Sequence, residues 1–112
     1  MIEKIILDYL TGAGVTAYME IPDGGGVMPY VVIEKTGGGD ENHINSATIA
    51  IQSYGDTLYQ AALLNDQIVA LMEDIVLLPE VSACELNSDY NFTDTTKKEY
   101  RYQAVYDLVY FE

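Results

Sequence analysis

The last apolar segment of the chain sets the tightest limit on its fold. From Glu99 to Phe111 the residues alternate with a period of two: Tyr100, Tyr102, Ala104, Tyr106, Leu108 and Tyr110 share one face, while Glu99, Arg101, Gln103 and Asp107 share the other with Val105, Val109 and Phe111. A helix repeats every 3.6 residues and would scatter these two sets, so the segment must be a strand. Both of its faces are partly apolar. A helix can cover one of them, and the apolar residues left on the opposite face suit a contact with another subunit.

The other elements follow from the same kind of pattern. Ile2, Ile5, Ile6, Tyr9 and Leu10 recur at helical spacing before Gly12 and Gly14, which predicts a short opening helix. Val15 to Ile21 alternates apolar with polar residues and predicts a strand that Pro22, Asp23 and the glycines up to Gly26 break. Tyr30 to Thr36 is rich in β-branched residues and predicts a second strand, with Gly37, Gly38 and Gly39 following it as a loop. Ser46 to Tyr54 predicts a third strand, ended by Gly55. Ala61, Leu64, Ile68, Leu71, Met72 and Ile75 then mark one face of a second helix, with Thr57 and Gln60 spaced as a capping box and Asp56 as a rival cap. Val81 to Tyr90 pairs with the last strand as a hairpin across the polar turn Asn91 to Lys98. The expectation is one α+β domain over residues 1–112, ordered α-β-β-β-α-β-β. It consists of a mostly antiparallel sheet of about five strands with two helices packed on it, consecutive strands lying as antiparallel neighbours.

Charge narrows the function classes. Five Lys and Arg face eighteen Asp and Glu, a formal net charge of -13. A surface of that sign repels phosphates, so tight nucleic-acid binding is not expected. Cys84 is the sole cysteine, which precludes an intramolecular disulfide and fits a reducing compartment. Glu3, Lys4 and Asp8 interrupt any leader-like apolar core at the start, and the longest aliphatic run, Ile75 to Leu78, is far too short to span a bilayer. A soluble, cytoplasmically made protein with no membrane partner is expected.

Chemistry-bearing motifs are sparse. The two glycine clusters lack the Lys and the Ser or Thr of a phosphate-binding loop, and Asp40 and Glu41 follow instead. His43, the one histidine, has acidic neighbours but no activated nucleophile in a recognisable turn. One histidine and one cysteine cannot close a zinc site. Asp89, Asn91 and Thr93 match the first ligands of a calcium loop, but Asp94 and Tyr100 stand where its glycine and bidentate glutamate belong. Cys84 shares a strand face with Leu86 and is expected to be an inert core residue. No catalytic residue, metal or cofactor is expected, and the chain is not expected to be an enzyme.

Several stretches resemble a known family. Tyr30 to Gly39, the segment Asn42, His43 and Ile44, the strand Ala47 to Gly55, Asn87 to Thr96, and the run Arg101, Tyr102, Gln103 resemble small tail terminator (tail completion) proteins of long-tailed phages and prophages. The resemblance covers nearly the whole chain and rests on overall pattern. It implies a minor structural protein of the virion tail, made and assembled in the bacterial cytoplasm. Such a subunit closes with its own copies into a ring, typically a hexamer, that caps the tail tube protein and meets the head-tail connector protein. The candidate contact residues are then Gly37, Gly38, Gly39, His43, Val105, Val109 and Phe111. An acidic lumen would let DNA pass by repulsion, with Asp40, Glu41, Glu73 and Asp74 as the candidate lining. The alternative is an acidic DNA mimic that inhibits a nucleic-acid-binding protein.

Overall fold

The computed structural model of the protein describes residues 1–111. The elements are α1 (Ile2–Gly12), β1 (Ala17–Tyr18), β2 (Tyr30–Glu41), β3 (Ile44–Gly55), α2 (Leu58–Glu73), β4 (Val81–Asn91) and β5 (Tyr100–Tyr110), with one 3-10 turn, Ile75–Leu77, between α2 and β4. The strands form one sheet ordered β1-β2-β3-β5-β4. All neighbours are antiparallel except β1 and β2. The expected α+β architecture and element order are those observed. Among the described residues no helix is long and apolar enough to cross a membrane.

The helices and the sheet meet in one core. Ile2, Ile6 and Leu10 of α1 and Ala61, Leu64, Ile68 and Met72 of α2 are buried. They pack with Val31 and Ile33, with Ala47, Ile49 and Ile51, and with Ala104, Tyr106, Leu108 and Tyr110. Each strand set is one alternating face, so both helices lie on the same side of the sheet. Thr57 caps α2, its Oγ1 accepting from the Gln60 amide at 3.1 Å. Gln60 Oε1 in turn accepts from the Asp56 amide at 2.6 Å, so the rival cap residue contributes its backbone instead. A Cβ on Gly55 would stand 2.5 Å from the Ala61 amide nitrogen, so glycine is what lets the start of α2 lie against the end of β3.

Three expectations are corrected by the tertiary arrangement. The first strand was expected over Val15 to Ile21, yet only Ala17 and Tyr18 pair, and they run parallel to β2. Val15 is buried against the core while Met19 and Ile21 are exposed, so the alternation there marks one buried residue and a departing loop. Consecutive strands are not all neighbours either. Helix α2 carries the chain back across the sheet, and β5 inserts between β3 and β4, because its two partly apolar faces and both of its edges are best satisfied in the interior.

Gly37, Gly38 and Gly39, expected in a loop, lie within β2 opposite Thr48, Ala47 and Ser46 of β3. The hairpin closes only at Asn42 and His43, whose φ values of 54 and 67 are the consecutive positive pair that tight two-residue hairpins require. Ladder hydrogen bonds need no side chain, so a continuous partner in β3 carries the glycines in an extended conformation that their own propensity disfavours. The result is an arm: Glu34 to Glu41 of β2 are all exposed.

Candidate functional site

The face of the sheet away from the helices is not covered by either of them, and the cross-strand register arranges it in rows. At the end of the sheet near Gly55, Tyr30 stacks on Tyr54 with ring centroids 5.0 Å apart. The Arg101 guanidinium lies 5.8 Å from the Tyr54 ring and 4.5 Å from that of Phe92. Arg101 also donates from Nε to the Phe92 carbonyl at 2.8 Å and from Nη1 to Glu99 at 2.9 Å. Its charge is therefore spent inside the fold and is not offered to a ligand. Tyr18 and Met28 pack against Tyr30, Val32 and Tyr54 and close this end.

The next row is a polar ladder. Gln52 Nε2 donates to Glu34 Oε2 at 3.3 Å and to Gln103 Oε1 at 2.8 Å, and Gln103 Nε2 donates to the Tyr90 hydroxyl. Four strands are thus tied through side chains on one face. Beyond it come Ala50, Val105 and Ser88, directly opposite one another across β3, β5 and β4.

The remaining rows, toward the tip of the arm, are built from small and acidic residues. Gly37, Thr48, Asp107 and Glu85 are successive cross-strand neighbours, followed by Gly39, Ser46, Val109 and Ala83. With so little side chain on its floor, this half of the face is an open trough of about 460 Å³. A second depression of about 360 Å³ adjoins it at the tip, sharing Gly39 and Ser46 and adding Asp40, Glu41 and Ile44. Thr48 Oγ1 at 3.1 Å and Asn87 Nδ2 at 3.0 Å both donate to the Asp107 carboxylate.

Two edges flank this face. Beyond the two residues paired with β1, β2 has no strand on its outer side, and β4 has none along its length, among the described residues. Bulges at Lys35/Gly37, Val81/Ala83 and Leu86/Ser88, with Glu34, Glu85 and Asp89, blunt both edges against indiscriminate pairing.

No protein-family model and no curated protein matches the chain.

The candidate residues named from the sequence are distributed unevenly over this surface. Gly37 and Gly39 face the trough side and Gly38 the helix side of the arm, while His43 sits exposed at its turn. Val105 and Val109 are half-buried on the uncovered face, and Phe111 lies just past β5, its amide donating to the Glu80 carbonyl at 2.8 Å. Asp40 and Glu41 are at the arm tip, whereas Glu73 and Asp74 end α2 on the other side of the sheet. The sequence reading missed Glu85 and Asp107. Neither belongs to a motif, and only the β4–β5 register places them side by side.

Groups with shifted pKa values stand away from the trough. Burial pushes the Cys84 thiol up to about 11, with the Asp107 charge adding to it. Burial likewise raises the Tyr106 phenol, whose hydroxyl is buried without a hydrogen-bond partner. Both line a small helix-side cavity of about 60 Å³ with Val69, Met72 and Glu73. Alkylation of Cys84 in the folded protein at pH 8 is expected to run about a hundredfold slower than that of an unperturbed thiol, and to recover in denaturant. Iodoacetamide labelling followed by mass spectrometry checks this; equal rates in the two states would mean that the thiol is not held in the core. Among the described residues no group of three or more His, Cys, Asp or Glu could hold a metal ion.

Proposed function

We propose that the chain is a self-assembling structural subunit of a phage or prophage virion. Copies of it close into a ring, a hexamer by the resemblance, that terminates the tail tube and joins it to the head connector. It works through contacts and charge, without catalysis and without a cofactor. The observation that carries this reading is the uncovered sheet face with its protruding arm. The concave sheet face and the arm beside it are two different contact surfaces, and a small subunit with two different contact surfaces assembles head to tail. Arm residues Gly37, Gly38, Gly39 and His43, with Val105, Val109 and Phe111, serve the contacts. The net charge of -13 suits a channel that DNA must traverse without sticking. Asp40, Glu41, Glu73 and Asp74 are the proposed contributors to that lining.

The test is negative-stain imaging with light scattering of the purified protein over a range of concentrations, alone and mixed with tail tubes of the parent element. Rings with a central hole, or caps on tube ends, are expected. A protein that never decorates a tube end at any concentration overturns the terminator reading. A stoichiometric complex with a DNA-binding protein, displaced by duplex DNA, would establish the mimic in its place.

A further inference from the structure

The trough carries an unbalanced charge on a floor that is smaller than the fold needs. Glu85 and Asp107 are directly opposite across β4 and β5, and like charges in that relation weaken a strand pair. Asp107 is held by Thr48 and Asn87, but Glu85 has no hydrogen bond or ion pair among the described residues. Glu41 adds a third carboxylate at the tip. Of the two glycines that line the trough, Gly38 is demanded by the fold, since a Cβ there would stand 2.8 Å from the Ser46 carbonyl oxygen, but Gly39 is not: a Cβ would meet nothing nearer than 3.8 Å, and its φ is not positive. Glycine inside a strand costs stability, so its presence at a position with room for a side chain needs another reason.

The complementary charge lies at the far end of the same sheet. The turn between β4 and β5 is compact: Asp94 and Glu99 pair across it, and Asp94 Oδ1 accepts from the Thr96 and Lys97 amides at 3.0 and 3.1 Å. Glu99 is taken by Arg101. Lys97 and Lys98 are left exposed at the tip with no ion pair among the described residues. The arm tip is next to Tyr110 in the register and this turn is next to Tyr102, so trough and turn occupy opposite ends of a body 44 Å long.

We propose that the trough of one copy receives the Lys97–Lys98 turn of a second copy, with Glu85 and Asp107 facing the two ammonium groups and the turn seated over Gly39. This rests on the self-assembly reading and names its contact. The two surfaces differ, so the contact is heterologous and can propagate from copy to copy until it closes. A preformed turn loses little entropy on docking, and interfacial charge pairs add both affinity and register.

The experiment is sedimentation of the full chain up to millimolar concentration in moderate salt, which screens the mutual repulsion of copies carrying a net charge of -13, followed by a titration to higher salt. Wild type is expected to associate, and to dissociate as salt rises. Glu85→Lys alone, and Lys97→Glu with Lys98→Glu, should each weaken association by about tenfold or more. An equimolar mixture of the two variants should associate again, because each then offers the other a complementary contact. Gly39→Val should fill the trough and abolish association while its melting temperature holds or rises. Wild type that stays monomeric throughout, variants that associate as wild type does, or a mixture without rescue overturns the contact. Rings that persist through every variant would refute the contact and keep the ring. Open chains that depend on the contact and never close would keep the contact and refute the ring.

Discussion

Ile68→Ala is expected to destabilise the folded chain by about 2–5 kcal/mol. Ile68 is fully buried at the middle of α2, in the cluster that also holds Ile2 and Ile6 of α1 and Ile49 and Ile51 of β3. Truncation removes methyl groups that touch both layers, and the strands beneath cannot move inward without breaking their ladders, so most of the cavity persists. Total stability for a domain of this size is on the order of 5–15 kcal/mol, which makes the loss visible as a large fall in the urea midpoint. A cost below about 1 kcal/mol would mean that α2 does not lie on the sheet as described.

Tyr54→Ala should cost more still, about 3–5 kcal/mol, although Tyr54 is on the opposite face from both helices. Its ring is almost fully buried between Tyr30 and Arg101. Arg101 Nη1 donates to its hydroxyl at 3.3 Å. Tyr54→Phe keeps the ring and loses only that long hydrogen bond, for about 0.5–1.5 kcal/mol. Urea unfolding of the two variants side by side separates packing from polar contact. If the alanine variant lost no more than the phenylalanine one, the aromatic row would be a surface feature and not the second, smaller core that closes this end of the face. Arg101 contacts both Tyr54 and Phe92, and its strand leads out of the Lys97–Lys98 turn, so the alanine variant should also loosen that turn. Faster amide exchange at Lys97 and Lys98 would report this.

Much of the fold was legible in local patterns. The period of two in residues 99–111 and the 3.6-residue spacing from Ala61 to Met72 are properties of neighbouring residues, and both elements are where those periods put them, although Ile75, expected on the same helical face, falls past the end of α2 in the 3-10 turn and is buried there. Thr57 and Gln60 announced the start of α2 for the same reason, since a cap is a contact between residues three apart. Cys84 was legible only in part: its place on an alternating strand beside Leu86 implied a core residue, and it does face the core, but it is only half-buried there and Leu86 is exposed.

What the sequence by itself determined, then, is the set of elements, the faces they bury and the acidic charge of the whole. The tertiary structure alone decided which strands are neighbours. That choice depends on partners far apart in the chain, selected by how completely apolar faces and backbone edges are satisfied together, and no local period encodes it. It turned Gly37, Gly38 and Gly39 from an apparent loop into an arm, because β3 was there to pair with them. It placed β5 between β3 and β4, and so set Glu85 opposite Asp107 over a floor of small residues, with Lys97 and Lys98 at the other end of the same sheet. Side-chain size and charge are written in the sequence, but a trough exists only where pairing lines small residues up in adjacent rows.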